Sequence, residues 1–315
     1  MKVLPRKIAI IGTGFVGSTT AFALMMSGLV SEIALIDIDA AKAEGEAMDL
    51  AHAASFIKPA AVYQGDFSAC KNASLIIYAA GVNQKPDETR LDLVHKNTRI
   101  LKEIVPQIIQ YAPESIILIV TNPVDVLTYV ALKVSGFPEE RVIGSGTVLD
   151  TSRFRHLLSE YCSVDPRNVH GYIIGEHGDT ELPVWSLTNI GGVNIDQYCS
   201  QYKPGFNSEI KDEIALKVKM AGYEIIQRKG ATYYAVALSV KRIVEAIFRD
   251  ENSVLTVSGL INGAYGLQDV CLSVPSLVNE NGRVKYFEFS LSDKELSALN
   301  TSANTLKEVQ NQLHL

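Results

Sequence analysis

Of the six histidines, only His177 sits in a glycine-framed polar loop, Gly175-Glu176-His177-Gly178-Asp179-Thr180, directly after the extended run 169–174. An imidazole exchanges a proton near neutral pH, and flanking glycines leave room for a substrate to approach. A solitary histidine in a loop also serves purely structural ends, so its neighbours matter. Asp150 and Arg153 stand three positions apart in a segment of helical pattern and therefore share a face. There the carboxylate could orient and charge-stabilise an imidazole, while the guanidinium grips an anion through paired hydrogen bonds. The bland use of that spacing is a surface ion pair, worth little. Arg155, two positions further on, points elsewhere and needs a separate purpose.

A second constellation lies near the start of the chain. Gly12-Thr13-Gly14-Phe15-Val16-Gly17 follows an apolar strand pattern and opens a helical one, and Asp37 closes the next strand twenty residues after Gly17. Gly12 suits the tight turn, Gly14 lets backbone N–H groups reach a pyrophosphate at the helix N-terminus, and Gly17 lets helix and sheet pack closely. Asp37 could accept both ribose hydroxyls and would repel a 2′-phosphate, which favours NAD over NADP. Glycine spacing alone also makes a plain strand-to-helix turn; strand, helix and spaced acid together point to the dinucleotide. Two further loops belong to the same edge. The polar segment 83–90, NQKPDETR, follows the third strand pattern and reads as a lid able to bring Arg90 onto a carbonyl oxygen. Thr121-Asn122-Pro123 ends the next strand, where the Asn122 amide could bond cofactor or substrate or simply make a turn.

The elements that must position these residues are legible as β-branched runs at 7–12, 32–37, 74–81, 115–120 and 141–146, separated by segments of helical length. Strands apolar on both faces in alternation with helices predict an α/β fold, a Rossmann-type doubly wound parallel sheet whose ligands bind beyond the strand carboxyl ends. From about Ser145 the pattern changes: helix at 149–161, an irregular loop, long helices near 206–228 and 232–249, strands near 253–259, 270–278 and 283–289, and a terminal helix. Strands without intervening helices predict a mixed α+β second domain over 145–315, after an NAD-binding domain over 1–144. With 315 residues there is chain enough for both.

Composition narrows the function classes. A net charge of −6 without a basic run argues against nucleic acid and against an anionic membrane surface. Cys70, Cys162, Cys199 and Cys271 form no C-x-x-C pair, so no zinc site or dithiol motif is written; free thiols in a cytoplasmic protein are expected. The uncharged stretch 8–31 mimics a signal peptide, but ten of its 24 residues are Gly, Ser or Thr, and the glycine motif accounts for it better. The chain is expected to be soluble and unprocessed.

Taken in order, GTGFVG, LID, NQKPDETR, TNPVDV, LDTSRFR, IIGEHGDTELPVWS and KGATYYA closely resemble the bacterial L-lactate dehydrogenases of the lactate/malate dehydrogenase family, essentially end to end. The resemblance implies reversible reduction of pyruvate to L-lactate with NADH. In that scheme His177 donates the proton, Asp150 holds its tautomer, Arg153 binds the substrate carboxylate and Arg90 polarises the carbonyl. Asn122 and Thr232 line the substrate space, and Gly12, Gly14, Val16, Gly17, Asp37, Lys42, Gly81, Asn122 and Thr147 fall at cofactor-contacting positions. Gln84 stands where malate enzymes of the family place an arginine. A neutral amide there favours pyruvate over oxaloacetate, since an unpaired buried charge costs about 2 to 5 kcal/mol. Arg155 and His170 match the pair that binds fructose 1,6-bisphosphate between subunits in allosteric members, and the family implies a homotetramer. Asp87 replaces a glycine common in the family's lid. A malate or other 2-hydroxy-acid dehydrogenase, or a catalytically silent NAD-binding protein, are the competing readings.

Overall fold

Strands that are apolar at successive positions can be stable only if both faces are covered. Residues 6–82 and 90–313 are described by a computed structural model, Arg90 by its backbone alone. Six parallel strands, β1 (Lys7–Ile11), β2 (Glu32–Ile36), β3 (Ala61–Gln64), β4 (Leu75–Tyr78), β5 (Ile116–Ile119) and β6 (Val142–Gly144), lie in the order β3-β2-β1-β4-β5-β6. Alternate residues feed two separate cores. Ala9, Ile11, Ile76, Tyr78, Ile117 and Ile119 face one, while Ile8, Ile10, Leu75, Ile77, Ile116 and Leu118 face the other. The connections are α1 (Phe15–Ser27), α2 (Ala40–His52), α3 (Arg90–Tyr111) and α4 (Val124–Ser135). Strand order reverses between β1 and β4, which opens a crevice at their carboxyl ends.

The second half begins with α5 (Val148–Cys162) and continues through short strands β7 (Val169–His170), β8 (Ile173–Ile174), β9 (Leu182–Pro183), β10 (Asn189–Ile190) and β11 (Val193–Asn194). Helices α6 (Ile195–Tyr202), α7 (Ser208–Lys229) and α8 (Tyr234–Phe248) follow, then β12 (Ser253–Leu255), β13 (Ser258–Ile261), β14 (Val270–Ser273), β15 (Ser276–Asn279), β16 (Gly282–Tyr286) and α9 (Asp293–Asn311). Around Phe154, Leu158, Val169, Ile173, Ile190 and Ile214 a third core forms.

Three features depart from the sequence expectation. Runs 253–259 and 270–278 each split between two sheets: β13 joins the large sheet antiparallel to β6 and β14 pairs antiparallel with β13, whereas β12, β15 and β16 form a sheet of their own. The splits have local causes. Thr256 turns its carbonyl to the Thr147 N–H at 3.1 Å, and Pro275 has no N–H with which to continue a ladder. Strand β3 leaves little trace in the sequence because it lies at the sheet edge and only Val62 of its four residues is buried. The loop expected after His177 contains α6, whose start is capped by the Asn194 side chain accepting from the Asp196 N–H.

Close approach of α1 to β1 is what the glycine motif secures. A Cβ on Gly17 would stand 1.9 Å from the Gly12 carbonyl oxygen, and one on Gly12, which has φ +95°, would overlap the backbone of Ala79 and Ala80. On Gly14 a Cβ would meet nothing within 4 Å. Gly17→Ala is therefore expected to lower stability by about 2–4 kcal/mol, and Gly14→Ala by less than about 1 kcal/mol. Urea unfolding of both variants measures this; equal midpoints would show that the helix can move aside.

Candidate active site

At the β1 end of the crevice the glycine loop is braced from across the sheet. The Asp37 carboxylate, just beyond β2, accepts the Thr13 N–H at 2.6 Å and the Thr13 hydroxyl at 2.9 Å, and its other oxygen accepts the Asp39 N–H at 3.1 Å. Partial burial favours the neutral acid. These donors, with the Lys42 charge, outweigh it and hold the Asp37 carboxyl below the ordinary carboxylate range. Lys42 itself is exposed near the start of α2, and half-buried Val16 follows Phe15 at the start of α1. No described residue accounts for a glycine at position 14, because among them its Cβ would enter open space. A pyrophosphate approaching the α1 N-terminus does account for it, so the residues present fit a dinucleotide.

The loops beyond β4 and β5 are tied to one another. Gly81 lies where a Cβ would come within 2.5 Å of Thr121 Cγ2. From α3, Asn97 accepts the Val82 N–H at 2.9 Å and donates to the Asn122 carbonyl at 2.9 Å. Exposed Asn122 precedes Pro123 in a cis peptide bond. Thr147 is fully buried, its hydroxyl donating to the Ile173 carbonyl at 2.6 Å.

The proton-handling residues meet beside these loops. Asp150 stands in the first turn of α5 with 1% of its side chain exposed; its Oδ2 lies 2.5 Å from His177 Nδ1 and its Oδ1 accepts from Arg153 at 2.8 Å. Burial disfavours the protonated imidazole, but the charge and hydrogen bond of Asp150 overcome it, aided by Glu181 and Asp125, and lift His177 to about 9. In return, despite its own burial, Asp150 is held below the ordinary carboxylate range by His177 and Arg153. With Nδ1 turned to Asp150, the imidazole presents Nε2 to the open side. The loop carrying it is clamped: Gly175 pairs with Ser273 of β14, the Glu176 N–H donates to Ser302 of α9 at 2.7 Å, and the His177 N–H donates to Asp125 of α4 at 2.7 Å.

Asp150, Arg153 and His177 are thus brought together. Thr232 is half-buried just ahead of α8, which packs against α5. Arg155 does point away, its Nε donating to the Gly171 carbonyl at 3.1 Å beside the Tyr172 ring, next to the exposed His170. Gln84, Asp87, the rest of the segment 83–89 and the side chain of Arg90 lie outside the described residues. Sequence reasoning passed over Asn97, Asp125 and Glu181. Asp125 carried a signal, as a lone acid among apolar residues in TNPVDV.

A glycine-looped parallel sheet with an imidazole, carboxylate and guanidinium gathered at its carboxyl edge defines a dinucleotide-dependent oxidoreductase. The chain matches the lactate/malate dehydrogenase NAD-binding domain over residues 6–144 and the alpha/beta C-terminal domain of the same enzymes over 147–314. It is 56% identical to an L-lactate dehydrogenase of Acetivibrio thermocellus over 96% of both chains, and 56% identical, at the same coverage, to L-lactate dehydrogenase 1 of Clostridium acetobutylicum. The crystal structure of minor L-lactate dehydrogenase from Enterococcus mundtii in its ligands-bound form superposes with a TM-score of 0.96, at 43% identity and 99% coverage of each chain. The chain belongs to the lactate/malate dehydrogenase family.

Because the raised value of His177 depends on Asp150, Asp150→Asn is expected to move the imidazole titration from about 9 to below its ordinary midpoint. NMR of the ring protons would record this. The sign for stability follows: the contribution of His177 is complete below about pH 6.5 and is lost as pH rises through about 9.

Proposed function

We propose that the protein is an NAD-dependent L-lactate dehydrogenase that reversibly reduces pyruvate to L-lactate. The observation that carries this reading is the His177–Asp150–Arg153 cluster, which couples a proton donor to an anion grip. The names and close identity of the relatives support the substrate. NADH, when bound, supplies the hydride. Gly12, Gly14, Val16, Gly17, Asp37, Lys42, Gly81, Asn122 and Thr147 are the residues we assign to its binding.

Arg153 keeps guanidinium N–H groups beyond the one committed to Asp150, and these can take a substrate carboxylate through paired hydrogen bonds. That anchors the carbonyl beside His177 Nε2, from which a proton passes to the oxygen that becomes the hydroxyl; lactate oxidation returns it. Asp150 fixes the tautomer and offsets the imidazolium charge without itself taking the proton. Arg90 is assigned to polarising the carbonyl, Asn122 and Thr232 to lining the site, and Gln84 to excluding a second carboxylate.

A division into NAD-binding 1–144 and substrate 145–315 agrees with every assigned cofactor residue except Thr147 preceding position 145, and with Asp150, Arg153 and His177 following it. Arg155 and His170 would bind fructose 1,6-bisphosphate, and the partly buried guanidinium of Arg155 would gain from phosphate oxygens what burial takes from it. Exposed apolar residues on α1, α7 and α8, among them Phe22, Met26, Met220 and Leu238, support assembly as a homotetramer. Four free cysteines suit the cytoplasm.

Initial rates of NADH oxidation at matched enzyme concentration should strongly favour pyruvate over oxaloacetate. A preference for oxaloacetate would point to a malate enzyme, and turnover of neither to a silent binder. His177→Asn is expected to lose turnover by at least about 10²-fold while still binding NADH. Fructose 1,6-bisphosphate should raise pyruvate turnover in the unmodified protein and fail to do so in Arg155→Gln; no response in either removes the effector site.

A further inference from the structure

Glu181 enters none of the roles assigned above, yet it shares the site. One of its carboxylate oxygens, a ring nitrogen of His177 and an oxygen of Asp150 all lie within 4.8 Å of one another. Its Oε1 is buried and has no hydrogen-bond partner among the described residues. Among the described residues, the charged groups facing it are Asp150 and Arg153 from α5, His177 from its own loop and, most weakly, Lys219 from α7. Asp150 already takes the hydrogen bonds of His177 and Arg153, so the second carboxylate is left without a partner of its own.

Two carboxylates this close do not ionise independently; the less well paired keeps its proton. Burial, then the charge of Asp150, push Glu181 up to about 8. Charge balance gives that proton a purpose. Among the described residues, Asp150 and protonated His177 cancel, and Arg153 leaves one positive charge to meet one substrate carboxylate. An ionised Glu181 would cancel that charge before the substrate arrived.

We propose that Glu181 is a further positioning residue of the 2-oxo acid site, holding a proton while an anionic substrate lies against Arg153 and turning such anions away once it ionises. This rests on the reading of the site as a pyruvate reductase. Productive binding then needs two protonated groups, His177 and Glu181.

The test is the alkaline limb of kcat/KM for pyruvate in the unmodified protein and in Glu181→Gln, whose amide is neutral at every pH. The unmodified protein should lose about a hundredfold per pH unit at the limit, and the variant about tenfold. In the cofactor-free protein, NMR should also show the His177 titration midpoint lower in Glu181→Gln, a shift that a purely structural role would not produce. Equal limits in the two proteins, or an unmoved His177 midpoint, would overturn the role of Glu181 and leave the reductase reading standing. Should Glu181→Gln fail to fold, a limiting fall of only about tenfold in the unmodified protein overturns it alone. No pyruvate turnover by the unmodified protein at any pH would overturn both.

Discussion

A carboxylate removed from water must be paired or it will take up a proton, and Asp150 is the place where this molecule meets that requirement. It is almost wholly enclosed, yet both oxygens are engaged, one by His177 and one by Arg153. The surrounding architecture serves that pairing. Helix α5 must start where it does, and the fully buried Thr147 fixes its first turn through bonds to Ile173, Ser273 and Thr256. The imidazole must arrive from the other side at the right depth, which explains why its loop is fastened to α4, α9 and β14 at three consecutive residues. Preorganisation of this kind means that little rearrangement is left for the moment of proton transfer.

The parallel sheet supplies the complementary constraint. Its reversal of strand order between β1 and β4 creates a crevice in which a dinucleotide can lie along strand carboxyl ends, and glycines at 12 and 17 let backbone elements come closer there than any side chain permits. Asp37 and Asn97 act as staples: the first binds the glycine loop to the second strand, the other ties the loops beyond β4 and β5. Cofactor loops and proton-handling residues thereby become parts of one rigid edge although they come from opposite halves of the chain.

Much of this was legible in the sequence because it follows from local rules. Five of the six parallel strands announce themselves as β-branched runs, and the glycine motif states both its turn and its ligand. The Asp150–Arg153 face is fixed by helical periodicity. What could not be read depends on long-range partners. No local pattern says that 258–261 and 270–273 leave their neighbours to join a sheet begun at residue 7, since the break depends on where the Thr256 carbonyl is needed. Asp125 and Asn97 act through contacts with residues 52 and 25 positions away, and Glu181 matters only because α5 brings Asp150 beside it. Weak edge pattern hid β3 for the opposite reason: too little burial to leave a mark.

The extension of the large sheet by β13 and β14 has a consequence for how the protein is made. Strand β6 is an open edge until Ser258 and its neighbours pair with it, so a nascent chain that has completed its first six strands must wait for more than a hundred further residues before that edge is closed. The N-terminal half can collapse on the ribosome, but its unpaired backbone stays available to other chains for several seconds of translation at about 5–20 residues per second. The same hairpin also holds Ser273 against Gly175 and Thr147. Closing the vulnerable edge therefore also supplies one of the histidine loop's three anchors, and Ser302 of α9 supplies the last of them later in the chain.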